Sequence, residues 1–200
     1  ADKAMTFGDK AGQAFNQVHE AIVAAGIAVA LKEIYEYFAS CAQASMDFES
    51  AITGVAKTTD LTDEELAAMS DSIKALSTEI PATTEEIAAV AEAAGQLGIQ
   101  KDALLDFTEI MTMLGTATNM TADEAATALA RFANITGMAT DNYGRLGSVI
   151  VDLGNNFATT ESEIVAMGTR LASAGKLAGL TEPEIMALAA AMSSVGIEAE

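Results

Sequence analysis

Apolar positions recur along this chain at steps of three and four. Leu66, Met69, Ile73, Leu76 and Ile80 make one such stripe; Tyr143, Leu146, Ile150, Leu153 and Phe157 make a second; Ile164, Met167, Leu171, Ala174 and Leu177 make a third. At about 3.6 residues per turn, each set falls on one face of an α-helix. No stretch alternates apolar and polar residues in the way a half-buried strand does. The pattern predicts helices near 10–57, 63–79, 84–96, 102–118, 122–136, 141–157, 161–178 and 182–195. Leu171, in the middle of its stripe, is expected in the core.

The boundaries of these segments carry their own chemistry. Thr62-Asp63-Glu64-Glu65, Thr83-Thr84-Glu85-Glu86, Thr121-Ala122-Asp123-Glu124, Thr160-Glu161-Ser162-Glu163 and Thr181-Glu182-Pro183-Glu184 all fit a capping box. In that motif the Thr hydroxyl accepts the backbone N–H three residues on, and the Glu reaches back to the Thr N–H. The acidic first turns suit the positive end of the helix dipole, and Pro183 sits where its missing donor costs nothing. Between these starts come Gly98-Ile99, Gly137-Met138, Gly179-Leu180 and Gly196-Ile197. A glycine takes the left-handed conformation past a helix end, and the apolar residue after it folds back on the last turn.

The first predicted helix differs from the rest. Ile27, Leu31, Ile34, Phe38, Cys41, Ser45, Phe48, Ile52 and Val55 step four-three-four-three without a break. That is a heptad seam, weakened at Cys41 and Ser45. Upstream, Phe15, Val18, Ile22, Ala25 and Val29 keep the spacing on a shifted face. A helix this long exceeds what a small domain can cover. It runs along a bundle within the molecule, or it pairs with other copies. The organisation expected is a long helix, 1–59, able to act in coiled-coil oligomerisation, followed by a compact array of helical hairpins, 60–200. Glu33, Glu36, Asp47 and Glu49 flank the seam, so self-association should strengthen with salt. Both ends of the sequence read as cut from a longer chain.

Composition fits packed helices. Half of the 200 residues are apolar and only 5% are aromatic, so Ala, Leu, Ile, Val and Met must fill the core. The 29 acidic against 10 basic residues give a formal charge of −19, which disfavours direct binding to nucleic acid and to anionic membrane surfaces. The longest near-apolar run, Ala21–Leu31, falls short of the ~20 residues a membrane span needs. A soft repeat is also visible. Thr84–Gly95 resembles Thr181–Met192, and Thr121–Ile135 follows the plan of Thr160–Ala174.

Candidate chemistry is sparse. His19 is the one imidazole and Cys41 the one thiol. The first reads as a solvent-facing helix residue and the second as a small seam hydrophobe, so no Cys-based zinc site and no His-based hydrolase follows. Carboxylate pairs such as Glu64-Glu65 and Glu85-Glu86 lie in first turns, where capping already accounts for them. No catalytic residue, cofactor or metal site emerges. Ten methionines favour adaptable core filling over a Met-lined binding groove. The residues themselves lead to an acidic, all-helical, non-catalytic module that works by protein contact.

Several blocks then occur in a fixed order: Phe48-Glu49-Ser50-Ala51-Ile52-Thr53-Gly54-Val55; Leu76-Ser77 through Pro81 to Ile87; Ala93-Ala94-Gly95-Gln96-Leu97-Gly98-Ile99; Phe132-Ala133-Asn134 with Leu146-Gly147 through Asn155-Asn156; and Gly179-Leu180-Thr181 through Gly196-Ile197. Together they resemble the conserved core region of phage and prophage tail tape measure proteins, over three-quarters of the chain. The resemblance implies a structural and assembly module that helps set tail length and takes part in DNA ejection. It implies as partners the tail assembly chaperones, the tail tube protein and the tail tip or initiator proteins, with further copies of the same chain. It places the protein in the tail lumen of the virion, and in the host bacterial cytoplasm during assembly. A helical muralytic domain and a peptide-binding or pore-forming bundle are the alternatives. The seam residues Ile27, Leu31, Ile34, Phe38, Phe48, Ile52 and Val55 are the candidate oligomer contact.

Overall fold

The computed structural model describes residues 13–20 and 27–197, with side chains from 32 onward in the second stretch. Its elements are α1 (residues 13–20), α2 (Ile27–Thr58), α3 (Asp63–Glu79), α4 (Thr84–Gln96), α5 (Leu104–Ala117), α6 (Ala122–Thr136), α7 (Tyr143–Asn156), α8 (Glu161–Leu177) and α9 (Glu182–Ser194). A short 3-10 turn, Thr140–Asn142, leads into α7. The fold is all-α, and no strand occurs among the described residues. The helix expected over 10–57 is represented by α1 and α2. Residues 21–26, on which its continuity depends, lie outside the described residues.

The caps explain why the helices begin where they do. The Thr62, Thr83, Thr121 and Thr160 backbone N–H groups donate to Glu65, Glu86, Glu124 and Glu163 at 2.8–2.9 Å. In return each Glu N–H donates to the Thr hydroxyl at 3.2–3.4 Å. At the fifth start Glu184 accepts both the Thr181 N–H (2.8 Å) and its hydroxyl (2.7 Å). Gly98, Gly137, Gly179 and Gly196 all have positive φ, between 68° and 84°. The residue after each donates back to a carbonyl of the last turn, as in Met138 N to Ala133 O at 3.1 Å and Leu180 N to Gly175 O at 2.9 Å. These bonds close the helix ends as the glycine-apolar pairs predict.

Two groups of three helices make most of the core, and Val55 of α2 and Ile73 of α3 are buried against them. α4, α5 and α6 pack on one another, as do α7, α8 and α9, and the groups join where α6 meets α8 and α5 meets α7. Phe107, Phe132, Ile87, Leu129, Ile150 and Ile164 are fully buried between them. Phe107 meets Tyr143 edge-on, with centroids 4.8 Å apart, pinning the start of α5 to the start of α7. α2 lies with its C-terminal half on α4. Two glycines permit that approach. A Cβ on Gly95 would sit 2.6 Å from Thr58 Oγ1, and one on Gly54 would overlap the Glu92 carboxylate.

The third apolar stripe is corrected by the packing. Ile164 and Met167 are buried, but Leu171 is only half-buried, Ala174 is exposed and Leu177 is 91% exposed. α8 instead turns Gly168, Ala172 and Gly175 inward, under α9. A Cβ at Gly168 would lie 2.5 Å from Met186 Sδ, and one at Gly175 would lie 2.6 Å from Ile185 Cγ1. Large residues from α9 fill the space that the small residues of α8 leave. A pattern search that scores only bulky side chains follows the wrong face there. Phe157, placed at the end of the second stripe, is 41% exposed because α7 has already ended at Asn156.

Candidate protein-contact surfaces

The predicted seam divides into two parts. Val55 is completely buried, and Phe48 and Ile52 are half-buried against the core. The Lys74 ammonium sits 5.3 Å from the Phe48 ring centroid, which closes that end of the seam by a cation–π contact. Further up α2 the covering stops. Ile34 and Cys41 are half-buried, Ser45 is exposed, and Phe38 is 66% exposed beside Tyr35 at 74%. The side chains of Ile27 and Leu31 lie outside the described residues. Polar pairs on the same stretch are local: Lys32 Nζ to Glu36 Oε1 at 3.6 Å, and Gln43 Nε2 to Asp47 Oδ1 at 2.8 Å. The lower seam is therefore intramolecular, while the stretch from Ile34 to Ser45 carries apolar side chains that the described core leaves uncovered.

A second surface is a groove of about 560 Å³ between α5 and α7, closed at one end by the Ile80-Pro81 corner. Ile110, Met113, Leu114 and Ala117 form one wall and Gly144, Gly147 and Val151 the other, with Glu79 and Asp152 among the polar lining residues. Met113 is half exposed, unlike the buried Met69, Met111, Met120, Met167 and Met186. Most methionines thus fill the core, and one opens onto a groove. The glycines differ from the others inside helices. At Gly54, Gly95, Gly115, Gly154, Gly168 and Gly175 a Cβ would come within 2.6 Å of a neighbour. At Gly147 the nearest atom is Leu114 Cδ1 at 3.4 Å, and at Gly144 it is Ile110 Cδ1 at 3.6 Å, both ordinary contacts. Glycine inside a helix costs roughly 0.5–1 kcal/mol against alanine. At these two positions the described packing does not call for it.

A third surface, a groove of about 610 Å³, lies between α6 and α8. The helices start together, because Asn119 Nδ2 donates to Ser162 Oγ at 2.8 Å and the Ser162 N–H donates to Asn119 Oδ1 at 3.1 Å. The repeated plan then sets Arg131 and Arg170, each ten residues past its capping Thr, along the same groove.

Titratable groups serve the helix ends. Lys101 donates to Glu65 at 2.6 Å and, with the Thr62 backbone, holds its carboxyl below the usual range. The Thr121, Thr160 and Thr181 backbone N–H groups lower Glu124, Glu163 and Glu184 in the same way. Lys176, 2.9 Å away, lowers Glu182. Burial raises the Tyr143 phenol. His19 is exposed on α1 and Cys41 is half-buried on α2. Among the described residues no group of three or more His, Cys, Asp or Glu could hold a metal ion, and no helix is long and apolar enough to cross a membrane.

The heptad spacing points to α2, whereas the apolar stripes do not point to the α5–α7 groove. The available signal was glycine at two positions of a strongly periodic helix, which the pattern passed over because Tyr143, Leu146 and Ile150 already made its stripe. Comparison with known proteins adds one match. Residues 70–200 fit the family of phage-related minor tail proteins. No curated protein and no solved structure matches the chain.

Proposed function

We propose, from its membership of the phage-related minor tail protein family, to which residues 70–200 assign it, that this chain is the helical core of a tail tape measure protein. Family membership gives the coarser statement, a structural role in the phage tail and a place in the virion. The finer reading is supported by the order of sequence blocks from Phe48 to Ile197 and by the two-part α2. Its lower end is built into the core, while its upper end carries Tyr35 and Phe38 into solvent.

That division is the observation that carries the proposal. A helix anchored at one end and uncovered at the other joins a globular module to something extended. In a tape measure the extended part lies in the tail lumen, parallel copies bring their α2 seams together, and tube, tip and chaperone proteins meet the assembly from outside. Such a part acts by contact and length, with no reaction to catalyse. The acidic surface, −19 in formal charge, suits a body that DNA must pass without sticking to it.

Sedimentation velocity tests the contact. The chain should associate more strongly as salt rises, since screening shortens the reach of like-charge repulsion to ~8–10 Å or less. Ile34→Lys with Phe38→Lys should leave it monomeric with an unchanged melting temperature. A parent chain that stays monomeric at high protein and high salt contradicts the oligomeric part of the reading.

A further inference from the structure

Two arginines stand apart from the acidic surface of this chain. Arg131 and Arg170 lie in its two longest stretches without Asp or Glu, residues 125–140 and 164–181. Neither has a carboxylate at the three- or four-residue spacing that pairs side chains along a helix. Among the described residues Lys32, Lys74, Lys101 and Lys176 each pair with a carboxylate, and the two arginines pair with none. Of the five capping boxes, only those of α6 and α8 are followed by an arginine ten residues after the Thr. These are the helices that start together through Asn119 and Ser162 and then run side by side. Equal offsets from adjacent starts bring both arginines to one level of the α6–α8 groove.

The rest of the groove sets an order of charge. Asp123 and Glu124 line its beginning, and Ala128 and Ala166 lie between them and the arginines. Asp123 and Arg131 are separated by about 12 Å along the helix axis, at about 1.5 Å per residue. Both arginines are exposed, so their guanidinium forks are open to carboxylates, which they take bidentately. The short side chains between the two ends let a helix lie close. A continuous polyanion such as nucleic acid would run onto Asp123 and Glu124, on a molecule of −19 formal charge. A second copy would bring the same charge against it. A lone small anion would cover the arginine end only. Complementarity along the whole groove calls for a segment whose own charge is divided, acidic at one end and basic at the other.

We propose that the α6–α8 groove docks a charge-divided helix of another protein, with carboxylates of one turn on Arg131 and Arg170 and a cationic side chain beside Asp123. The mode is helix-in-groove recognition, with the two charged ends fixing direction and rejecting uniformly charged segments. The assignment holds whether or not the chain measures tail length, since it uses only the groove.

The test uses the full chain and a fluorescein-labelled synthetic helix of about 20 residues, long enough to hold structure in water. One face carries Ala and Leu; the other carries Glu in one half and Lys in the other. One twin has Gln for every Glu, and a second has Gln for every Lys. By anisotropy the divided peptide should bind, more weakly at high salt. The twin without Glu should bind about tenfold more weakly or worse, and the twin without Lys severalfold more weakly. Arg131→Gln with Arg170→Gln should cost the divided peptide about tenfold or more and leave the twin without Glu unaffected. That variant should melt as the parent does, because both side chains are exposed and unpaired. Asp123→Asn should strengthen binding of the twin without Lys. Arg145→Gln, an exposed cation outside the groove, should change nothing. Failure of the divided peptide to bind, or equal binding to the parent and double-glutamine chains, overturns the proposal. So does a single-stranded oligonucleotide that binds more tightly than the peptide and needs both arginines. A parent that sediments as a dimer and a double-glutamine variant that sediments as a monomer would make the occupant a second copy, and overturn it too. The Ile34 and Phe38 variants should bind the peptide as the parent does, so loss of α2 association and loss of groove binding are separable.

Discussion

Glycine plays opposite parts at different places in this molecule, and single substitutions should show it. At Gly175 an added Cβ would lie 2.6 Å from Cγ1 of the buried Ile185, whose branched side chain has nowhere to move. Gly175→Ala should therefore destabilise the chain by about 1–3 kcal/mol through overpacking. Gly147→Ala meets its nearest neighbour at 3.4 Å and should stabilise the chain by about 0.4–1 kcal/mol, since alanine restricts the unfolded chain. Thermal unfolding of the two variants should shift in opposite directions. Leu171→Ala belongs beside them. Its side chain is half-buried, so it should cost clearly less than Ile164→Ala, a fully buried deletion worth about 2–5 kcal/mol. Equal losses at the two positions would mean that Leu171 is as deeply packed as its stripe suggests. The sequence could not make these distinctions, because a glycine that a neighbour crowds and a buried glycine that leaves room for a methyl group are the same letter.

Helix ends were the most readable elements. Thr and Glu three residues apart, followed by a glycine-apolar stop, mark a start and an end by hydrogen-bond chemistry that needs no distant partner. Accordingly α3, α4 and α6 begin at their Thr-Glu boxes, and α4 and α6 end at Gly98-Ile99 and Gly137-Met138, whereas α3 ends at Ile80-Pro81 without a glycine stop. Faces were less readable. α8 buries Gly168 and Gly175 where bulk-based periodicity points to Leu171 and Leu177, since the side chains that fill that interface come from α9. The same caps set a pH dependence. Glu65, Glu124, Glu163, Glu182 and Glu184 have pKa values lowered in the folded chain by Lys101, by Thr backbone N–H groups or by Lys176. In the window between folded and unfolded values the unfolded chain binds more protons, so stability rises with pH. The contribution is complete above about pH 4.3, the ordinary Glu value, and is lost as pH falls through the depressed folded values. Chemical denaturation between neutral pH and about pH 3 should show this loss. In a Glu124→Gln variant the fall over that range should be shallower. Thr121→Ala should cost about 0.5–2 kcal/mol by removing the reciprocal bond.

At the scale of the whole molecule, one helix passes from a packed core to uncovered surface. The heptad spacing from Ile27 to Val55 was legible in the sequence; the point where it leaves the core was not, because it depends on α4 being present to receive Phe48, Ile52 and Val55. That geometry also decides how the chain can be cut. A fragment beginning at Asp60 would remove Val55 from the core, so substitution at Ile34 and Phe38 is the cleaner probe of association. The tape measure reading makes length itself the observable. Inserting four heptads, about 28 residues, into α2 after Ser45 would lengthen an α-helix by about 42 Å at about 1.5 Å per residue. It would keep the seam on one face and leave the core contacts of Phe48, Ile52 and Val55 in place. The most direct test is the tail length, by electron microscopy, of phage carrying this insertion in the full gene. The proposal predicts intact tails longer by about 42 Å. Intact tails of unchanged length, with the longer protein present in them, would contradict it.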